Sequence, residues 1–268
     1  MRSLLNKRLK FGPIVVTLLL SLAGCGSESD RVLEETFEHL YTVEPTANIT
    51  VQNGDGAIFV YGSNTNEMRV RAIKRAYRRS RLTQITIDVS TKPGSVSITT
   101  KFPPRPKWGL FDRSGTVDYT VVVPATANIS GLDLNASEIL VDGLRGATTH
   151  ARLGEGRVFA RNCFTNLNLG IRRGNLILSY DWWEESTFTA EVNLAQGNAW
   201  AYLPVGGAFH LLAKAVHGEI FNDFENRAVA KPSTARGTKV DALVNGGGEA
   251  TIKFRLREGN IKLLEARP

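Results

Sequence analysis

The 268-residue chain predicts an all-β fold, a single-stranded parallel β-helix or β-roll solenoid with short rungs of about 18 to 23 residues. Three observations carry that reading: a polar residue followed by glycine recurs, its copies keep a near-regular spacing, and period-two apolar columns flank them. The copies are "GDGAIFV", "GEGRVFA", "RRGNLIL", "AQGNAWA", "VHGEIFN" and "REGNIKL", with glycines at Gly56, Gly156, Gly174, Gly197, Gly218 and Gly259. "KPGSVSI" adds Gly94, and "NASEILV" is a degenerate copy with Ser137 in the glycine place. From Ser137 to Gly218 the steps are 19, 18, 23 and 21 residues; the last step, of 41, holds room for an extra coil or loop.

Each rung follows from its alternation. Before the glycine stand Ile87 and Val89, then Leu167, Leu169 and Ile171, then Val192 and Leu194. Leu211, Ala213 and Ala215, and Ile252, Phe254 and Leu256, fall in the same columns. After it come Ile58 and Val60, Ile139 and Val141, Leu176 and Leu178, Ile261 and Leu263. Apolar columns on both sides of a glycine mean strand, tight turn, strand. One rung cannot bury its inner face alone, whereas rungs stacked about 4.8 Å apart make a continuous core. The stretch "AFHLLAKAVHG" is rich in helix formers, but its register with the other rungs makes it a strand. A β-sandwich is the second fold that such spacing admits.

Ahead of the repeat, residues 1–24 have the form of an export signal. Arg2, Lys7, Arg8 and Lys10 give a basic start, and Phe11 to Ala23 an apolar stretch of 13 residues, too short to cross a bilayer as a helix. Leu22, Ala23 and Gly24 before Cys25 resemble the lipobox of bacterial lipoproteins. That resemblance implies cleavage before a diacylglycerol-modified Cys25, and several acyl chains together make a stable anchor at roughly 0.8 kcal/mol per buried methylene. By the sorting habit of the family it resembles, Gly26 in the following place implies the outer membrane in a host that has one. Residues 25–36 would then be the lipidated cysteine and its tether, and 37–268 the solenoid. Within it, "KFPPRPKWGLFDRSG" and "ENRAVAKPSTARG" read as exposed loops, and "VLEETFEHL" as helix or strand.

Removing the signal takes the charge from +7 to +3, with 29 basic against 26 acidic residues. Overall charge therefore gives no ground for a nucleic-acid partner. With Cys25 acylated, Cys163 has no cysteine to pair with and reads as a packed core or corner thiol.

From about Phe37 to Leu264 the chain resembles the bacterial "putative adhesin" domain of unknown function, whose members repeat G-x-I-x-V through a β-solenoid. The likeness runs through "ITVQNGDGAIFVYG", "MRVRAIKRA", "YTVVVP" and "GLRG" before the recurring corners. It implies an envelope protein whose role is unsettled.

Residues that could carry chemistry are few. Before the corner glycine stand Asp55, Glu155, Arg173, Gln196, His217 and Glu258, a mixed column unlike the gathered acids of a polysaccharide lyase or hydrolase. Stacking predicts instead an exposed Glu155–Arg173 pair and an amide ladder from Asn175 to Asn198. "NGGGEA" lacks the acidic spacing of calcium-binding repeats, His39, His150, His210 and His217 form no metal spacing, and no Ser, His and acid arrangement is marked. No cofactor or metal is implied, and the chain reads as non-enzymatic.

Two surface features remain. In "RVRAIKRAYRRSR", Arg69 and Arg71 share one strand face, and Lys74, Arg75, Arg78, Arg79 and Arg81 extend a positive patch suited to anionic headgroups or lipopolysaccharide. In "SYDWWEES", only one of Trp182 and Trp183 can point inward; the other, like Trp108 in the proline-rich loop, is a candidate for stacking on a glycan. The expectation is a lipid-anchored envelope protein that binds an envelope glycan, lipopolysaccharide or another envelope protein. The alternatives are a periplasmic partner of another envelope protein and a carbohydrate-active enzyme. Replacing Cys25 by Ser should abolish incorporation of labelled palmitate in the native host; a labelled Cys25→Ser chain would remove the anchor.

Overall fold

Strands form where the sequence alternates, in a computed structural model that describes residues 31–104, 115–224, 228–230 and 238–266. They are β1 (Leu33–Thr42), β2 (Asn48–Ser63), β3 (Glu67–Ala76), β4 (Thr86–Lys92), β5 (Ser95–Lys101) and β6 (Thr116–Pro124). The long strands follow: β7 (Asn128–Asp142), β8 (Thr148–Arg161), β9 (Asn166–Ser179) and β10 (Thr189–Pro204). The chain ends with β11 (Phe209–His217), β12 (Ile220–Asn222), β13 (Ala228–Ala230), β14 (Thr238–Val244), β15 (Thr251–Glu258) and β16 (Ile261–Ala266). One short helix, α1 (Arg79–Gln84), lies between β3 and β4. The fold is all-β.

The strands make one open, mixed sheet. Its middle is parallel: β2, β7, β8, β9 and β10 lie side by side in chain order. Antiparallel pairs extend both ends: at one, β6 and β5 lie parallel to β2 and pair antiparallel with β3 (and through it β1) and β4, and at the other β14 pairs with β11 and β13. The fold departs from three expectations. The sheet is not purely parallel. Gly94 is no rung corner but, with Pro93, the two-residue turn of the β4–β5 hairpin, at φ 67°. The stretch "ENRAVAKPSTARG", expected to be loop throughout, contains β13.

Rung order also departs from chain order. β15 and β16 sit between β10 and the pair β11 and β12, so the last rung in sequence is the next-to-last in space. Side-chain volume fits this arrangement: Phe254 lies in register between Val192 and Ala213, and Leu256 between Leu194 and Ala215. The bulk of the inserted strand meets the small residues of β11.

The corner glycines explain the alignment. Gly156, Gly174, Gly197, Gly259 and Gly218 have φ between 125° and 152°, and Ser137 holds the same corner at 106°. A Cβ on Gly174 would stand 1.8 Å from the carbonyl oxygen of Gly156, and one on Gly197 1.6 Å from that of Gly174. At Gly174 and Gly197 a side chain is excluded twice, by backbone conformation and by the rung beside it. Next to this column runs the predicted amide ladder, longer than expected. The Asn198 N–H donates to Asn175 Oδ1 (3.4 Å), the Asn260 N–H to Asn198 Oδ1 (3.1 Å) and the Glu219 N–H to Asn260 Oδ1 (2.9 Å).

Inward columns on both arms of the corner, such as Leu169 and Leu176, belong to one buried core. Ile85, just after α1, belongs to it too, and Leu82 of α1 is buried. Replacing Gly174 by Ala should cost about 3 kcal/mol or more, a fall of roughly 6 to 12 °C in Tm, while Gly206→Ala, with nothing within 4 Å of its new carbon, should be silent. Equal Tm values for the two variants would show that the corner tolerates a side chain. Deleting residues 249–268 should unfold the β11–β14 end as well, read as lost amide protection there, because β15 is its bridge to β10.

Candidate functional site

Strand alternation divides the arginine-rich segment. Arg69 and Arg71 are exposed while Val70 and Ala72 are buried. Lys74 falls on the inward side, where its ammonium meets Glu35 at 2.5 Å and donates to the Ile85 carbonyl at 3.4 Å. Arg75 is clamped between Glu34, at 2.7 Å, and Asp118, and these bonds raise its pKa, the Glu34 bond first. Arg81 donates to the Pro104 carbonyl at 3.0 Å from α1. Exposed and without an acidic partner among the described residues are Arg69, Arg71, Arg78 and Arg79. The contiguous positive stretch of the sequence is therefore split between cations that hold β1, β3 and β6 together and cations that face solvent.

The tryptophan pair lies where the chain crosses from β9 to β10. Trp183 turns inward against Tyr180, Phe188 and Phe209, with ring centroids 5.3 to 5.9 Å away. Trp182 turns outward and stays 45% exposed. Its indole N–H donates to Glu184 at 2.7 Å, and Glu184 takes both arms of the Arg145 guanidinium at 2.5 and 2.8 Å. Arg145 in turn lies 5.1 Å over the Phe164 ring. These bonds, Arg145's first, hold the Glu184 carboxyl below its ordinary range. The exposed ring is thus fixed in place before any partner arrives.

Beside Trp183 opens a hollow of about 360 Å³, lined also by Glu185, Ser186, Gly247, Gly248 and Glu249. The Ser186 hydroxyl is buried and has no hydrogen-bond partner among the described residues. The Thr187 hydroxyl donates to Glu249, which ties the β9–β10 crossover to the loop before β15. An aromatic wall, two carboxylates and an unsatisfied hydroxyl are the groups that a sugar's apolar face and hydroxyls require. The sequence pointed to Trp182 and Trp183. It gave no sign of Ser186 or Glu249, because Glu249 lies some 60 residues on and only the insertion of β15 brings it here. The glycine run "NGGG" is the one local signal near it.

Elsewhere the expected stacking is present. Glu155 and Arg173 are in register and 3.8 Å apart, both more than half exposed. His210 contacts Asp241 at 2.9 Å, His39 packs between Phe37 and Tyr41, and His217 is opposite Glu258. Among the described residues no group of three His, Cys, Asp or Glu is placed to hold a metal ion, and no helix is long and apolar enough to cross a membrane. Leu22, Ala23, Gly24, Cys25 and Trp108 lie outside the described residues.

No protein-family model and no curated protein matches the chain. Among solved structures it is similar to a "putative cell adhesion protein" from Clostridium sporogenes, 12% identical, with a TM-score of 0.52 over 87% of this chain and 100% of that one. Looser superpositions include a "putative adhesin" from Bacteroides fragilis, 12% identical, TM-score 0.32, covering 86% of this chain and 97% of that one. A "putative lipid binding protein" from Parabacteroides distasonis is 14% identical, TM-score 0.28, covering 87% and 97%. The first of these is a likeness of fold.

Cys163 is fully buried, and burial pushes its thiol from 9.0 up to about 12; burial likewise takes the Tyr119 phenol from 10.0 to about 12. Both groups hold their protons more tightly in the folded chain, so their contribution to stability is complete below pH 9 and is lost as pH rises toward 12. Urea unfolding at a series of pH values should show that decline, and Cys163→Ala should flatten the part that begins near pH 9. The same slope in wild type and variant would mean that the thiol titrates normally.

Proposed function

We propose that the chain is an envelope lipoprotein, held to the membrane through Cys25, whose parallel rungs form a β-solenoid that presents a non-catalytic surface for adhesion. The corner column, the side-by-side long strands and the single core support the solenoid, with the antiparallel strands acting as its end caps. The likeness of fold to the clostridial protein supports the adhesion class, and Gly26 supports placement at the outer membrane of a two-membrane host.

The observation that carries the reading is the Trp182–Trp183 corner. An exposed indole braced by Glu184 and Arg145 stands on the same crossover as the hollow that holds Glu185, Ser186 and Glu249. A glycan is its natural partner: a sugar ring stacks on the indole and its hydroxyls reach the carboxylates. The exposed arginines of β3 and α1 add an attraction to phosphate-bearing headgroups or lipopolysaccharide.

Binding of the full chain to a panel of envelope and host glycans tests this. Trp182→Ala should weaken retention of the best glycan about tenfold, with Tm unchanged. Full retention by that variant would overturn the corner as the site, and release of new reducing ends from the bound glycan would move the protein into the carbohydrate-active enzymes.

A further inference from the structure

A second cationic surface lies across the middle of the sheet, away from the β3 arginines, on the outward side of the arms that precede the corner. Register places Arg152 of β8 beside Gly170 of β9, Gly170 beside Asn193 of β10, Asn193 beside Arg255 of β15, and Arg255 beside Lys214 of β11. Two residues further along their strands stand Arg172, Ala195 and Arg257. The two rows line an open groove of about 680 Å³, with small residues on its floor and cations on its walls.

Those cations are poorly compensated. Arg172 and Lys214 have no acidic partner among the described residues, Arg152 reaches Asp133 only at 3.9 Å, and Arg257 reaches Glu258 only at 3.8 Å. Arg255 alone is closely paired, with Glu191 at 2.9 Å.

Gly170 supplies an independent observation. Its φ is not among the positive values, and a Cβ there would meet only the Ala151 carbonyl, at 3.9 Å. Neither backbone nor packing requires glycine at this position, in contrast to the corner column. Glycine inside a strand weakens it and often marks a bulge, a tight bend or a place where a ligand or another backbone comes close. At this position it deepens the groove between Arg152 and Asn193.

We propose that this groove binds an acidic polysaccharide chain lying across the strands. Strands repeat about every 4.8 Å, so Arg172 and Arg257, two strands apart, stand about 10 Å from each other and can meet successive anionic groups of a repeating polymer. The arginine stems and Val216 offer apolar surface to the sugar rings. The lining has no aromatic ring on which a nucleic-acid base would stack. The site is separate from the Trp182–Trp183 corner and does not depend on it.

The test is affinity electrophoresis of the full chain in detergent through gels holding polygalacturonate, dextran sulfate or neutral dextran. The expected result is retardation by one or both charged polymers and none by dextran, carboxylate and sulfate being told apart by which gel retards more. The double variant Arg172→Gln, Lys214→Gln should weaken it about tenfold or more. Ala195→Phe should do the same, since it fills the floor at constant charge on an exposed position; Trp182→Ala should change nothing. Circular dichroism and Tm confirm that each variant is folded. Undiminished retardation of Ala195→Phe, no retardation by either charged polymer, or equal binding of anionic vesicles or single-stranded DNA through the same residues would overturn the proposal.

Discussion

The close approach of one rung's backbone to the next at the corner is the constraint on which the rest depends. Where Gly197 faces the carbonyl of Gly174, an added Cβ would be 1.6 Å from it, far inside any contact distance. A slip of one residue would put a side-chain-bearing residue into that space and turn every apolar column outward, so the corner fixes the register of all the long strands together. Buried columns, amide ladder and surface rows are consequences of that one alignment.

Register decides what each surface charge does. In a parallel stack, residues one rung apart become neighbours, and so Arg157 meets Glu138, Arg161 meets Asp142 and Arg173 meets Glu155. Such exposed pairs are worth little singly, about 0 to 1 kcal/mol, yet they leave those rows nearly neutral. Against that background the uncompensated rows stand out. Arg69 and Arg71 at one end of the sheet, and Arg172 and Lys214 in its middle, are exposed and have no acidic partner among the described residues.

A stack of parallel strands has two open edges, each inviting pairing with another chain. The β6–β3–β1 strands, the β4–β5 hairpin and α1 extend and cover one end, while β14 and β13 extend the other. Lys74 and Arg75 belong to this capping, for they tie β3 to Glu35 and Glu34 of β1 and to Asp118 of β6.

The sequence by itself determined the all-β class, the corner glycines, the inward columns, the Glu155–Arg173 and Asn175–Asn198 neighbours and the rule that one tryptophan of the pair must face out. Each of these depends on a local period or on a fixed offset between copies, which a linear string displays. Tertiary structure alone decided that β15 enters between β10 and β11, that Gly94 turns a hairpin, that Lys74 and Arg75 are spent on acidic partners, and that Glu249 joins Ser186 beside Trp183. It also placed Arg172 two strands from Arg257 over a floor of small residues. These depend on which distant segments pair, as where Phe254 lies against Ala213, a property of the packed core that no single stretch of sequence carries.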